Sequence, residues 1–425
     1  MGIKKIKVSN FKSFKELEID LNQFNVLVGA NAAGKSSFIQ IFDFIRDIIK
    51  SGLSNAISMQ GGVEYLRNIN IGDQQPLYME IIFDRPNIQK IEKESENNIL
   101  FREAYESRYQ FKIDFNGEDF KVVEDQLTLK FKYYQIKKQN RIAEKKKEEK
   151  EMGEIVLTLL KENNGLEVKI NKDTLKTDQI KITKDNILPS FLEEIKLSDR
   201  ELILETPFAF IVERSIKEIL GGISIYNINP LLSKKATPIT GKAELEEDGE
   251  NLAIVLKNII EDQAKARKFS NIVKDILPFV ENIDIEKFAD KSLLFKLKEE
   301  YSKKDYIPAS ILSDGTISTI ALIIALYFED KKIAIIEEPE RNIHPHLISK
   351  LVDMFIDASK KKQILITTHN PELIKYIDLD DLFLVHRDQE GFSKISKPVE
   401  KEEVRVFLEN DMGIDDLYIQ NLLEV

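Results

Sequence analysis

A mixed α/β fold is predicted by three patterns in this 425-residue chain: a mostly parallel central sheet, an N-terminal antiparallel ribbon and an inserted α+β lobe. The first pattern is an apolar run, Phe24-Asn25-Val26-Leu27-Val28, that ends at a glycine and is followed by Phe38, Ile41, Phe42, Ile45, Ile48 and Ile49 at helical spacing. The second is an alternation of apolar segments near the other end, which reads as helix over 317–328, strand over 333–336, helix over 347–358 and strands over 363–367 and 382–385. Strands separated by helices of this length must run parallel, with helices covering both faces of the sheet. The third is a change of character across 85–304 to short alternating strands, polar turns and charged runs.

The elements follow in chain order. Ile3, Ile6 and Val8, then Leu17, Ile19 and Leu21, alternate with period two on either side of a turn at 10–14, the pattern of an antiparallel ribbon. Residues 1–84 are assigned to the first part of a core, 85–304 to the inserted lobe and 305–425 to the second part of the core. The highly charged stretch 137–151 reads as a solvated helix or a mobile loop within the lobe. No heptad pattern persists, so long coiled-coil arms are not expected.

Composition narrows the function. The chain carries 62 basic and 73 acidic residues, a net charge of −11, which argues against a surface built to bind polyphosphate throughout and leaves room for a local basic groove. With no cysteine there is no disulfide, thiolate metal site or cysteine nucleophile, as suits a reducing compartment. The N-terminus runs straight into a strand pattern, and no apolar stretch approaches the ~20 residues of a membrane helix. A cytoplasmic protein with no membrane partner is expected.

Gly29-Ala30-Asn31-Ala32-Ala33-Gly34-Lys35-Ser36 matches G-x-x-x-x-G-K-[ST] between a strand and a helix, the setting this phosphate-binding loop requires. Backbone N–H groups of residues 29–37, Ser37 included, curl around phosphate at a helix N-terminus, Lys35 reaches the terminal phosphates, and the Ser36 hydroxyl ligates Mg²⁺. An ordinary glycine turn needs neither lysine nor serine at those offsets.

Glu337 and Glu338 close the apolar run 333–336, at the carboxyl end of a buried strand where ligands bind in parallel sheets. Glu337 is assigned to Mg²⁺, directly or through its water, and Glu338 to the attacking water as general base. The competing reading is a pair of acidic helix caps. Ser313, ahead of the predicted 317–328 helix, is on its own best read as an N-cap. His369 follows the strand 363–367 and in isolation reads as a hydrogen-bonded structural residue. His344-Pro345-His346 lacks a third nearby ligand and is not taken as a metal site.

Together these motifs resemble the ABC/SMC-like P-loop ATPases, and within them the compact RecF- and OLD-like "AAA family" group. The likeness rests on the loop, on Leu312-Ser313-Asp314-Gly315-Thr316 beside the signature Leu-Ser-Gly-Gly-Gln, on Glu337-Glu338-Pro339-Glu340-Arg341-Asn342-Ile343-His344-Pro345 beside the Walker B and D-loop, and on His369 at the place of the switch histidine. The opening Val8-Ser9-Asn10-Phe11-Lys12-Ser13-Phe14 and the segment Glu247-Asp248-Gly249-Glu250-Asn251-Leu252 resemble two further elements of the group. The sequence departs from the wider pattern at Glu337, usually aspartate, and at Asp314, usually glycine. Gln60 is a weak candidate for the Q-loop glutamine.

The resemblance implies an ABC-type ATPase head using ATP and Mg²⁺. ATP enters by resemblance alone, since no Asn-Lys-x-Asp guanine motif is found. It implies catalytic roles for Lys35, Glu338 and His369, and nucleotide contacts from Lys12 and, of a second copy, from Ser313 and Gly315. The working unit it implies is an ATP-sandwiched homodimer or higher oligomer. The stretch after His369 is too short for a TOPRIM nuclease domain, which needs on the order of 100 residues. The resemblance then favours a stand-alone ATPase subunit like those of the phage-defence modules Septu and PARIS, acting on a separate nuclease or toxin. The alternative is a RecF-like repair or recombination ATPase with DNA as its direct ligand. A transporter subunit fits less well because of the long inserted lobe and the Glu337-Glu338 pair.

Overall fold

The computed structural model describes residues 2–84, 89–94, 98–137, 149–162, 165–172, 196–206, 216–288, 291–302, 305–402, 404, 406, 412–420 and 422. The chain is a mixed α/β protein dividing into two compact units, one of residues 1–21, 40–222 and 388–394, the other of 22–39, 223–387 and 395–425. The boundaries expected at 85 and 304 do not coincide with these units. Residues 223–302 fold against the elements that carry the glycine loop, because their apolar side chains join the same core.

In the first unit, strands Ile3–Phe11 and Phe14–Asp20 form the expected ribbon, in register from Lys5↔Asp20 to Phe11↔Phe14. They belong to an eight-stranded sheet whose ladders are antiparallel throughout the described pairs. The short strands expected of the lobe are in fact long: Asn98–Asn116 and Asp119–Lys137 each run 19 residues. Of the charged stretch 137–151, residues 138–148 lie outside the described residues, and Glu149 opens the strand Glu149–Glu162.

The Val8–Phe14 element has a structural task in this unit. Asn10 and Lys12 both take left-handed backbone, with φ of 52° and 51°. The buried Asn10 amide donates to the carbonyls of Gly72 and Gln75, its Oδ1 accepts from Asn68 N, and Lys12 N donates to Leu66 O at 2.9 Å. Asparagine tolerates this conformation and satisfies the backbone groups that the corner leaves unpaired.

In the second unit, five strands lie in the order Ile223–Tyr226, Ile333–Glu337, Gln363–Thr368, Phe24–Val28 and Leu382–Arg387, each pairing parallel with its neighbour. All five residues of Phe24–Val28 are buried, as a continuous apolar run between two covered faces requires. A smaller sheet of this unit, built on Val280–Phe288 and Ser292–Glu299, is antiparallel, so among the described residues antiparallel ladders predominate.

The helix Asp314–Tyr327 is buried at every residue from Thr316 to Leu326, and each large aliphatic side chain buried there contributes about 1.5–3 kcal/mol. The helix Ile348–Ser359 adds Leu351, Val352 and Phe355 to the same core, with Phe355 stacked 6.2 Å from Phe24. No helix among the described residues is long and apolar enough to cross a membrane.

Candidate functional site

Strand register brings the separate motifs to one edge of the parallel sheet. Glu337 stands opposite Thr367, and Thr368 opposite Val28. The residues that follow are therefore Gly29 on one strand, Glu338 on another and His369 between them, all leaving the sheet at its carboxyl end. That edge is where parallel sheets bind ligands.

The loop from Gly29 to the helix Lys35–Ser51 is closed by Ala33 N to Ala30 O at 3.2 Å and Phe38 N to Gly34 O at 3.0 Å. Gly34 has φ 124° and Ala32 φ 64°. Gly29 is required for a different reason: a Cβ there would stand 2.3 Å from the carbonyl oxygen of Val385 on the neighbouring strand. Lys35 donates to the carbonyls of Gly29 at 2.6 Å and Ala30 at 3.0 Å, so its ammonium spans the mouth of the loop. Burial pulls its pKa below the ordinary lysine value, against the pull of the Glu338 and Glu340 carboxylates. Ser36 is exposed and Ser37 half-buried in the first turn of the helix, and Arg387 donates to Ala32 O at 3.1 Å.

The strand Ile333–Glu337 ends on one carboxylate, and those of Glu338 and Glu340 follow it. Burial, then the neighbouring Glu338, pushes Glu337 above the usual carboxylate range. Glu338 holds left-handed backbone at φ 44°, a strained setting for a side-chain-bearing residue, and its N–H donates to Thr367 O at 3.0 Å. Its Oε1 meets His369 Nδ1 at 3.0 Å and its Oε2 pairs with the Arg341 guanidinium. Burial raises this carboxyl, but Arg341 and His369 outweigh it and leave the group below its ordinary pKa. Glu340 is 6% exposed; its Oε1 accepts from Thr368 Oγ1 at 2.5 Å while its buried Oε2 has no partner among the described residues, and burial raises its pKa.

Ser313 caps the helix Asp314–Tyr327, accepting from Thr316 N at 3.2 Å, and its side chain is exposed. Within this chain the cap reading is realised. Asp314 pairs with Lys234. Gly315 packs so closely on the turn after Glu340 that a Cβ would come 2.5 Å from the carbonyl of Asn342, itself at φ 65°. Beside this contact lies a cavity of about 750 Å³ bordered by Asp248, Asp314, Arg341 and Asn342.

Loop, carboxylates and histidine thus share one edge in the second unit, and Gly315, near the start of the Asp314–Tyr327 helix that Ser313 caps, packs against the carboxylate turn. Lys12 belongs to the first unit, where its amine donates to the carbonyl of Gln60 at 3.3 Å and burial lowers its pKa. Asn251 of the Glu247–Leu252 segment is a buried staple, accepting from Glu246 N and donating to Lys242 O and Glu244 O. The rings of His344 and His346 pair with each other at 2.7 Å. Sequence reasoning left Arg341, Thr368 and Arg387 without a role; the i+3 spacing of Arg341 from Glu338 was the available signal for the first.

The donor set suits a hard cation: the Ser36 hydroxyl and the Glu337 carboxylate offer oxygen, and the chain has no cysteine.

A glycine-lysine-serine loop after a buried parallel strand, with paired carboxylates on an adjoining strand end, defines an ABC/SMC-like P-loop ATPase. The family described as "AAA domain, putative AbiEii toxin, Type IV TA system" matches residues 24–375, and the chain belongs to that family. It is 24% identical over 148 residues to an uncharacterized protein, MJECL43, of Methanocaldococcus jannaschii; the match spans 32% of this chain and 38% of that relative. Similar solved structures include a Smc head bound to the C-winged helix domain of ScpA, 14% identical with TM-score 0.49, covering 93% of this chain and 98% of that one. The SMC head domain of Thermotoga maritima is also 14% identical, with TM-score 0.40 and coverage of 93% and 99%.

Proposed function

We propose that this chain binds ATP with Mg²⁺ and hydrolyses it at a site completed by a second copy, and that the cycle controls a separate effector protein, a nuclease or toxin, in defence against phage. The toxin–antitoxin wording of the family's description fits a module of that kind. The observation that carries the ATPase reading is the register row, which aligns Gly29, Glu338 and His369 at one sheet edge.

In this reading the N–H groups of residues 29–37 and Lys35 bind the phosphates, Lys35 exchanging the Gly29 and Ala30 carbonyls for phosphate oxygens. Ser36 and Glu337 would hold Mg²⁺, which supplies charge neutralisation between the phosphates when bound. Glu338 takes the proton of the attacking water as its oxygen bonds to the γ-phosphorus and the bond to the β-phosphate oxygen breaks. His369 orients Glu338 through the 3.0 Å contact and lies beside the γ-phosphate. Ser313, the Gly315 N–H and the positive end of the Asp314–Tyr327 helix face the second copy's nucleotide in a two-fold pair, where each contact occurs twice. The cell's cytoplasm is the expected setting.

Glu338→Gln tests the chemistry. It should bind ATP as the wild type does and lose hydrolysis by about 10²-fold or more, the typical worth of a general base. Equal turnover in the two proteins would pass the role to Glu337 or Glu340.

A further inference from the structure

We infer that Arg341 is a latch on Glu338, holding the base out of use until the turn that carries it moves; the inference rests on the reading of Glu338 as the group that activates water. Both carboxylate oxygens are engaged, Oε2 by the Arg341 guanidinium and Oε1 by His369. Each oxygen keeps a second lone pair, so water can still approach, but the guanidinium offsets the negative charge with which Glu338 would draw off a proton. His369 belongs to the row at the sheet edge, whereas Arg341 comes from the turn 338–343.

That turn is coupled to the start of the Asp314–Tyr327 helix. Arg341 N donates to Glu338 O and Ile343 N to Glu340 O, each at 3.0 Å, so the loop holds together as a unit at the strand end. Two of its residues, Glu338 and Asn342, hold left-handed backbone. The Asn342 carbonyl lies against Gly315, with no space for a Cβ between them. A shift at the start of the Asp314–Tyr327 helix therefore displaces Asn342, and with it Arg341.

Released, the guanidinium has somewhere to go. Arg341 is 60% exposed and already borders the 750 Å³ cavity, whose wall carries the Asp248 and Asp314 carboxylates. Moving a charge between two sets of carboxylates across a wet surface costs little, so the latch is reversible.

The test separates the latch from the reading beneath it. In nucleotide-free protein, the Arg341 guanidinium Nε–H resonance in ¹⁵N-arginine spectra, assigned by its disappearance in Arg341→Ala, should move in Glu338→Gln. Steady-state hydrolysis should rise about three- to tenfold in Arg341→Ala, the effect of releasing one partly exposed charge-assisted pair, with KM for ATP unchanged. Arg341→Lys, which keeps the charge, should return turnover toward wild type. Adding Arg341→Ala to Glu338→Gln should gain nothing, because the latch acts only through Glu338. Unchanged or reduced turnover in Arg341→Ala, a gain that persists in the double variant, or an Arg341 resonance indifferent to Glu338→Gln overturns the latch. Equal hydrolysis by wild type and Glu338→Gln instead removes Glu338 as the base, and the latch falls with it even if the resonance moves.

Discussion

Replacing Lys35 by alanine is expected to weaken ATP binding by roughly a hundredfold. The size follows from what the amine does in the free protein. It donates to the Gly29 and Ala30 carbonyls at 2.6 and 3.0 Å, so binding does not create two bonds from nothing; it exchanges two neutral acceptors for charged ones. A hydrogen bond to a charged group is worth about 1.5–3 kcal/mol and an ordinary one about 1, which leaves a gain of about 0.5–2 kcal/mol per exchanged bond. Two such exchanges amount to about 2.5 kcal/mol, or nearly two decades in Kd. The free protein loses the two bonds to the carbonyls of buried Gly29 and exposed Ala30, so its stability should fall by no more than about 1–2 kcal/mol. Calorimetric titration of ATP into folded Lys35→Ala, beside a thermal melt of the same sample, measures both quantities. A Kd within about threefold of wild type would refute the exchange and remove the loop from the binding account.

Gly29→Ala would bring a methyl 2.3 Å from the Val385 carbonyl, which the parallel pairing of Leu382–Arg387 with Phe24–Val28 prevents from retreating. Denaturant unfolding should show a loss of about 1–3 kcal/mol, and an unmoved midpoint would contradict the close approach. Lys362 is buried at the end of the Asp314–Tyr327 helix, donating to Ala325 O and Glu329 O, and burial lowers its pKa from 10.5 to about 8. The unfolded chain then holds this proton more firmly than the folded one, so the cost of charging Lys362 is complete below about pH 8 and disappears as pH rises toward 10.5. The stability of wild type relative to Lys362→Met should therefore increase by up to about 3 kcal/mol across that window, and a flat difference would contradict the burial of the charged amine.

The sequence revealed the parts of the site whose geometry is set locally. Phe24–Val28 had to be a covered strand because all its positions are compatible with burial, and the loop and helix follow from the residue types at 29–36. Once the strands are parallel, the alignment of Glu338 and His369 with the loop follows from their places at strand ends. The 19-residue strands were harder to read because their alternation loses phase: register shifts fall between Ala104 and Glu106 and between Lys112 and Ile113, so one long strand looks like several short ones. Membership of 223–302 in the core around the loop depends on contacts distant in sequence, which no local period records. Gly315 was read only as a nucleotide contact, yet the neighbouring Asn342 carbonyl alone already demands a glycine. Arg341 went unassigned because its pairing with Glu338 depends on the left-handed backbone that turns the chain back at that residue.

The central claim, a hydrolytic site shared between two copies, is tested most directly by mixing two inactive variants. Lys35→Ala removes the phosphate-binding amine, and Ser313→Arg blocks the helix start that faces the other copy's nucleotide. Each alone should hydrolyse ATP poorly. A mixed pair retains one site with intact Lys35 from one chain and intact Ser313 from the other, so with subunit exchange verified by labelled protein the mixture should recover up to about a quarter of wild-type turnover per chain, half the chains being in mixed pairs with one working site each. No recovery from folded, exchanging variants would contradict the shared site and return Ser313 to the role of a helix cap.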